Sequence, residues 1–160
     1  MKNEFHAKLL STMADVHEPR FNRAHETLFK LVFEADEILD DIALGNRMLT
    51  EKEWDSLSMV CDALISYAKV HFVDEENHLF KCGYPSAVQH MEIHNQLIEQ
   101  LNEFQKKITE RNERDLKNLR RWLLEWLLNH INREDYAFAL FLQQITVPRY
   151  RDTMISRESL

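Results

Sequence analysis

The sequence predicts an all-α fold: an up-down-up-down antiparallel four-helix bundle with an N-terminal arm. Three observations carry that prediction. Only two glycines and three prolines occur in 160 residues, so there is little material for turns or breaks. Apolar residues recur at steps of three and four along four long stretches, the period of a helix with one buried face. The links between those stretches are short, which favours antiparallel neighbours. The length suits a single core.

Residues 1–18 form the arm. Phe5, Leu9, Met13 and Val16 give it one apolar face, whereas His6 and His17 have no helical partner pattern and read as surface residues. The bundle occupies residues 19–145. Pro19 opens its first helix, where a missing N–H costs nothing. His25, Leu28, Phe29, Val32, Leu39 and Ile42 follow at helical spacing, and Gly45 is a stop signal. Thr50 and Glu53 form a T-x-x-E capping box for the second helix. Its seam is Trp54, Leu57, Cys61, Leu64, Ala68, His71, Glu75, His78 and Cys82, closed by Gly83 and Pro85. The third helix runs from about Ser86 to Arg111, with Ala87, His90, His94, Leu97, Leu101, Phe104 and Ile108 on one face. After the polar corner ERNERD, the fourth carries Leu116, Leu119, Leu123, Trp126, His130, Phe138 and Leu142. Pro148 blocks much continuation, and residues 146–160 read as a loosely held polar tail.

Composition narrows the function classes. Acidic residues outnumber basic ones by 27 to 20, a net charge of −7 that would repel a nucleic-acid backbone. No run of about 18 apolar residues is present, so no membrane-spanning helix is expected. The N-terminus MKNEFHAKLL lacks the apolar stretch of a signal peptide. Cys61 and Cys82 fall in one predicted helix, roughly 30 Å apart, too far for a disulfide. Reduced thiols and a cytoplasmic location are the expectation.

The seams contain polar residues where a bundle normally has Leu, Ile, Val or Phe. Burying one His needs only a backbone carbonyl to satisfy it; burying several is costly unless they meet. His25 lies early in the first helix, His71 and Glu75 late in the second, His90 and His94 early in the third, and His130 and Asp135 late in the fourth. In an antiparallel bundle these places share one end. His71 and Glu75 are i and i+4, as are His90 and His94, so each pair shares a face. The order is not HExxH, since Met91 follows His90. Asp135 is i+5 from His130, which on a regular α-helix puts it roughly 140° away. A π-bulge or a lateral reach is needed to bring it into the layer.

Five imidazoles and two carboxylates are too many donors for one ion. Iron, zinc, copper and nickel all suit such ligands. Two octahedral ions about 3–4 Å apart offer twelve positions. The imidazoles fill five, two bridging carboxylates four, and a bridging oxide or hydroxide two. One position is left, on one ion only. Ferritin-like sites, with four Glu and paired E-x-x-H motifs, differ. Neutral His ligands favour the ferrous state, and a single vacancy suits a diatomic ligand better than an organic substrate.

These motifs resemble the hemerythrin family, in its bacterial single-domain form (bacteriohemerythrins). The matching residues are His25 in NRAHETLF, HFVDE from His71 to Glu75, Gly83 to Pro85 as GYP, HMEIH from His90 to His94, and WLLNHINRED ending at Asp135. They span roughly residues 20 to 143. The resemblance implies two non-haem irons (Fe2+/Fe3+) with an oxo or hydroxo bridge. His90, His94 and His130 would hold one iron and His25 and His71 the other, with Glu75 and Asp135 bridging. It further implies reversible O2 binding for storage, delivery or supply, without enzymatic turnover. Azide or NO would be other small ligands; a protein partner is left open, with the arm and the tail as segments that could bind one. Phe72, Trp126, Leu127 and Ile131 would line an apolar O2 pocket. Other readings of such a site are an O2 or redox sensor, a peroxide- or nitric oxide-handling enzyme, and iron handling or repair. The chain departs from the family in three ways. Its arm has no Trp and Asn22 stands where an Asp is usual; the segment between His25 and His71 is long; and His78 takes a place more often apolar. His78 shares a stripe with His71 and Glu75, so a role beside the irons or at the pocket is one reading, and a partly solvated histidine at the bundle end another.

Overall fold

A computed structural model of the chain describes residues 2–43 and 47–146. Six α-helices account for most of them: α1 (Lys2–Ser11), α2 (Pro19–Ala43), α3 (Glu51–Lys81), α4 (Ala87–Thr109), α5 (Glu113–Asn129) and α6 (Tyr136–Thr146). A π-helix, His130–Asp135, joins α5 to α6 in one continuous column. The expected stop at Gly45 and the C-terminal tail from residue 147 lie outside the described residues. The α2 helix packs on α3 and α5, and α4 packs on the same two. The helices thus form a square in which chain neighbours are spatial neighbours, the all-α up-down-up-down bundle expected from the seams.

The seams bury as their spacing requires. Leu28, Phe29, Val32 and Leu39 of α2 face Leu57, Leu64 and Ala68 of α3, Leu97 and Leu101 of α4, and Leu116, Leu119 and Leu123 of α5, all buried. The corner leading into α3 is fixed by its sequence signal. Thr50 accepts the Glu53 N–H through its hydroxyl, and Glu53 returns a bond to the Thr50 N–H at 2.8 Å. Next to it the Leu49 N–H donates to Glu113 Oε1 at 2.8 Å, tying two corners together at the end remote from the histidines.

The turn between α3 and α4 is a Schellman motif. The Tyr84 N–H reaches Leu79 O at 3.0 Å, the Gly83 N–H reaches Phe80 O at 3.1 Å, and Gly83 has φ +67°. No heavy atom lies within 4 Å of where a Gly83 Cβ would stand, so a side chain there costs only left-handed backbone strain. Gly83→Ala is therefore expected to lower stability by about 1 kcal/mol, read as a shift in the urea midpoint at constant slope.

The arm corrects one expectation. His6 is not a surface residue. It is 8% exposed, its Nε2 lies 3.2 Å from Asp36 Oδ2, and its ring stacks on Phe33 at 3.9 Å. Phe5, assigned to the apolar face, is 48% exposed. The reason is Asp36: this carboxylate is buried on α2, and an imidazole can satisfy it where a phenyl ring cannot. Leu9 and Met13 are partly buried and Val16 is buried, as their spacing suggests. His17 is exposed, with its N–H donating to Asp15 Oδ1 at 2.7 Å.

Candidate metal centre

All seven candidate ligands converge in one buried layer near one end of the bundle. His25, His71, Glu75, His90, His94, His130 and Asp135 are each no more than 4% exposed. Their donor atoms fall into two groups, each with atoms within 4.8 Å of one another: Glu75, His90, His94, His130 and Asp135 in one, and His25, His71, Glu75 and Asp135 in the other. The two carboxylates belong to both.

Each carboxylate turns one oxygen to each side. Glu75 Oε1 lies 2.7 Å from His90 Nε2 and 3.6 Å from His94 Nε2. Its Oε2 lies 3.5 Å from His71 Nε2 and 4.0 Å from His25 Nε2. Asp135 Oδ1 lies 3.0 Å from His130 Nε2 and 3.1 Å from His90 Nε2, while Oδ2 lies 3.1 Å from His25 Nε2. The side holding His90, His94 and His130 thus has three imidazoles and the other has two.

The π-helix makes this arrangement possible. Its wider turn returns residue i+5 to the face of residue i, so His130 and Asp135 point inward together and Ile131 is buried between them. Flat rings set two imidazole planes: Phe72 stacks on His94 at 3.8 Å and 7°, and Trp126 on His130 at 5.0 Å and 11°. Glu76, which the sequence reading passed over, places Oε1 2.8 Å from His94 Nδ1. A partner on the far nitrogen fixes which nitrogen faces the site. The only signal in the sequence was an acid beside a ligand; its reach to α4 depends on packing.

These residues fit metal ions better than they fit one another. Both nitrogens of His25 and His90, His130 Nδ1, and all four carboxylate oxygens of Glu75 and Asp135 are buried without a hydrogen bond. The close approaches between them lack hydrogen-bond alignment, as expected where lone pairs point at a shared position. Unsatisfied groups at this density are too costly to stand alone.

The proton affinities divide the donors. Burial, aided by the His25 imidazole, pulls His71 down to about 3. Burial, aided by His130 and His90, pulls His94 down to about 2. Both are neutral lone-pair donors at neutral pH. Burial would lower His90 as well, but the facing carboxylates of Asp135 and Glu75 outweigh it and push the imidazole up to about 10. Burial and the Asp135 charge raise Glu75. Burial would also raise Asp135, but His130, His25 and His90 hold it well below its ordinary value. Metal bound at this site must therefore displace the proton that His90 carries at neutral pH.

A small apolar cavity lies one helical turn inside the layer. Leu28, Ala68, Leu97 and Leu127 each stand three residues from His25, His71, His94 and His130 respectively, and Phe72 and Trp126 complete the wall on the ligand side. It leaves about 10 Å³ for the centre of a water-sized sphere, room for one very small molecule. Of the four residues assigned to an apolar pocket, Phe72, Trp126 and Leu127 line this cavity. Ile131 is fully buried but is not part of its wall. His78 is half-buried at the bundle end, its ring 5.7 Å from both Phe21 and Phe138. Phe21 also contacts His71, at 5.8 Å.

A sequence model of the Hemerythrin HHE cation binding domain matches residues 19–141. The chain belongs to the hemerythrin family. It is 32% identical over 115 residues to a bacteriohemerythrin of Methylococcus capsulatus, covering 72% of this chain and 80% of that one. It is 30% identical over 90 residues to a bacteriohemerythrin of Stenotrophomonas maltophilia, covering 56% and 58%. It is 27% identical over 77 residues to hemerythrin subunit beta of Lingula anatina, covering 48% and 60%. The matched span of this hemerythrin-family chain contains all seven candidate ligands. Among its described residues no helix is long and apolar enough to cross a membrane.

Proposed function

We propose that this chain binds O2 reversibly at a pair of non-haem irons. The observation that carries the reading is the sharing of Glu75 and Asp135 between a three-imidazole set and a two-imidazole set. By that division His90, His94 and His130 hold one iron, and His25 and His71 hold the other. With one imidazole fewer, the His25–His71 side would be the one with room for a small ligand. When bound, the iron pair supplies two electrons that a diatomic ligand can borrow and return.

The chain's own residues favour reversibility. Five imidazole ligands, which add no negative charge, stabilise the reduced ions more than further carboxylates would. Phe72, Trp126 and Leu127 wall the cavity beside the layer with hydrocarbon, which keeps water from displacing a weakly held ligand. The residues lining the cavity are all apolar. Storage, delivery or local supply of O2 is the role this geometry suits.

Metal analysis with an optical spectrum, in air and after reduction, tests the reading. About two irons per chain are expected, with a visible charge-transfer band that appears with O2 and bleaches on its removal. One zinc per chain with no O2-dependent band would defeat it. Rapid catalytic consumption of peroxide or nitric oxide would replace it with an enzymatic role.

A further inference from the structure

The segment linking the arm to α2 is fastened by two asparagines, and each stands three residues before a candidate ligand. Asn132, in the π-helix before Asp135, accepts the Ala14 N–H through Oδ1 at 2.7 Å and donates Nδ2 to Thr12 O at 3.0 Å. Its amide thus pairs with two backbone groups as a neighbouring strand would. Asn22, in α2 before His25, accepts the Val16 N–H at 3.1 Å and donates to Asp15 Oδ1 at 2.8 Å. The Val16 side chain is itself buried. The α2 and π-helix backbones make little direct contact, yet His25 Nε2 and Asp135 Oδ2 must meet across them at 3.1 Å.

We propose that residues 12–16 are a brace between α2 and the π-helix, with Asn132 and Asn22 as positioning residues that set the approach of Asp135 to His25. The π turn needs such support. Its backbone geometry is rare because it is less favourable than the α-helix on either side. A relaxation toward regular α-helix would swing Asp135 away from His130. The brace ties that turn from outside by two hydrogen bonds reaching back more than a hundred residues in the chain. The Asn22 amide donates as well as accepts, and so engages both Asp15 and Val16. This inference rests on the metal-site reading for its effect on bound iron, but the brace itself can be read in metal-free protein.

The test compares the full chain with Asn132→Ala, Asn132→Asp and Leu9→Ala. Amide hydrogen exchange over residues 12–16 and 130–136 is followed before and after anaerobic loading with Fe(II), and iron loss to a chelator is timed. Asn132→Ala is expected to speed exchange in both segments and to release iron about tenfold faster, with the thermal midpoint of chelator-stripped protein little changed. Asn132→Asp keeps the acceptor for Ala14 and is expected to recover part of the retention. Leu9→Ala weakens arm packing without touching either asparagine and is expected to leave iron release unchanged. Wild-type iron release and unchanged exchange over 130–136 in Asn132→Ala would overturn the brace. So would Leu9→Ala releasing iron as fast as Asn132→Ala. If the wild type holds no iron, the O2 reading fails on its own. Exchange over 130–136 in metal-free protein then decides the brace: acceleration supports it and no change overturns it. Should Asn132→Ala not fold, Asn22→Ala gives the same two readouts.

Discussion

Glu75→Gln is expected to reduce the metal content from about two ions per chain to less than one, while leaving the stripped protein about as stable as before. The first half follows from where the two oxygens point. Oε1 faces His90 and His94, and Oε2 faces His71 and His25, so one side chain serves both sets. Gln keeps the volume but offers one neutral oxygen, and its amide N–H2 group turns positive hydrogens toward a cation. The second half follows from burial. Glu75 is 1% exposed, and burial already disfavours its charge. Removing that charge relieves a desolvation cost in the absence of metal but takes from His90 one of its two facing carboxylates, and the two effects offset each other. Loaded wild-type protein should gain about 4 kcal/mol at a thousandfold excess over Kd, and the variant almost nothing. Thermal melts with and without chelator, beside metal analysis, check both halves. Full metal content in Glu75→Gln would remove Glu75 as a bridging ligand.

Acid should unfold chelator-stripped protein far more readily than loaded protein. His71 and His94 are held at about 3 and about 2 in the fold, against roughly 6.5 in the unfolded chain. The unfolded state therefore takes up protons first as pH falls below about 6.5, and stability drains away down to the folded values. Two such groups give at most about 3 kcal/mol per pH unit. His90 acts in the opposite direction. Held at about 10, it stabilises the stripped fold below its unfolded value and loses that contribution as pH rises toward 10. Raised Glu75 likewise contributes at low pH and offsets part of the acid slope. Stripped protein should thus be most stable near neutrality, and urea midpoints against pH would show it. Metal, by displacing the His90 proton, should bind more tightly as pH rises through that range. A flat profile between pH 6.5 and 4 would contradict the burial assigned to His71 and His94.

Much of this was legible in the sequence because it is periodic. A step of three or four carries a residue to the same helix face whatever lies opposite, so the seams, the capping box at Thr50 and the shared depth of the ligands could be read directly. The step of five between His130 and Asp135 was informative because it broke the period, and the π-helix restores the alignment. What could not be read depends on particular partners distant in the chain. His6 is buried because Asp36 and Phe33 happen to face it. Glu76 reaches His94 only through the packing of α3 on α4. Asn132 bonds to backbone groups of Thr12 and Ala14, and backbone groups carry no sequence signature. Ile131 illustrates a third limit: the resemblance assigns it to the pocket, but only packing decides whether it borders the cavity.

The two ends of the bundle are built from different materials. At the Thr50 corner Trp54, Leu57, Leu101, Ile108, Leu116 and Leu119 form a hydrocarbon core that holds together without any ion. At the other end the same four helices meet over imidazoles and carboxylates, which repay burial only when cations arrive. Stripped protein should therefore keep slow amide exchange at the apolar corner, whereas the layer around the ligands should gain most of its protection on loading.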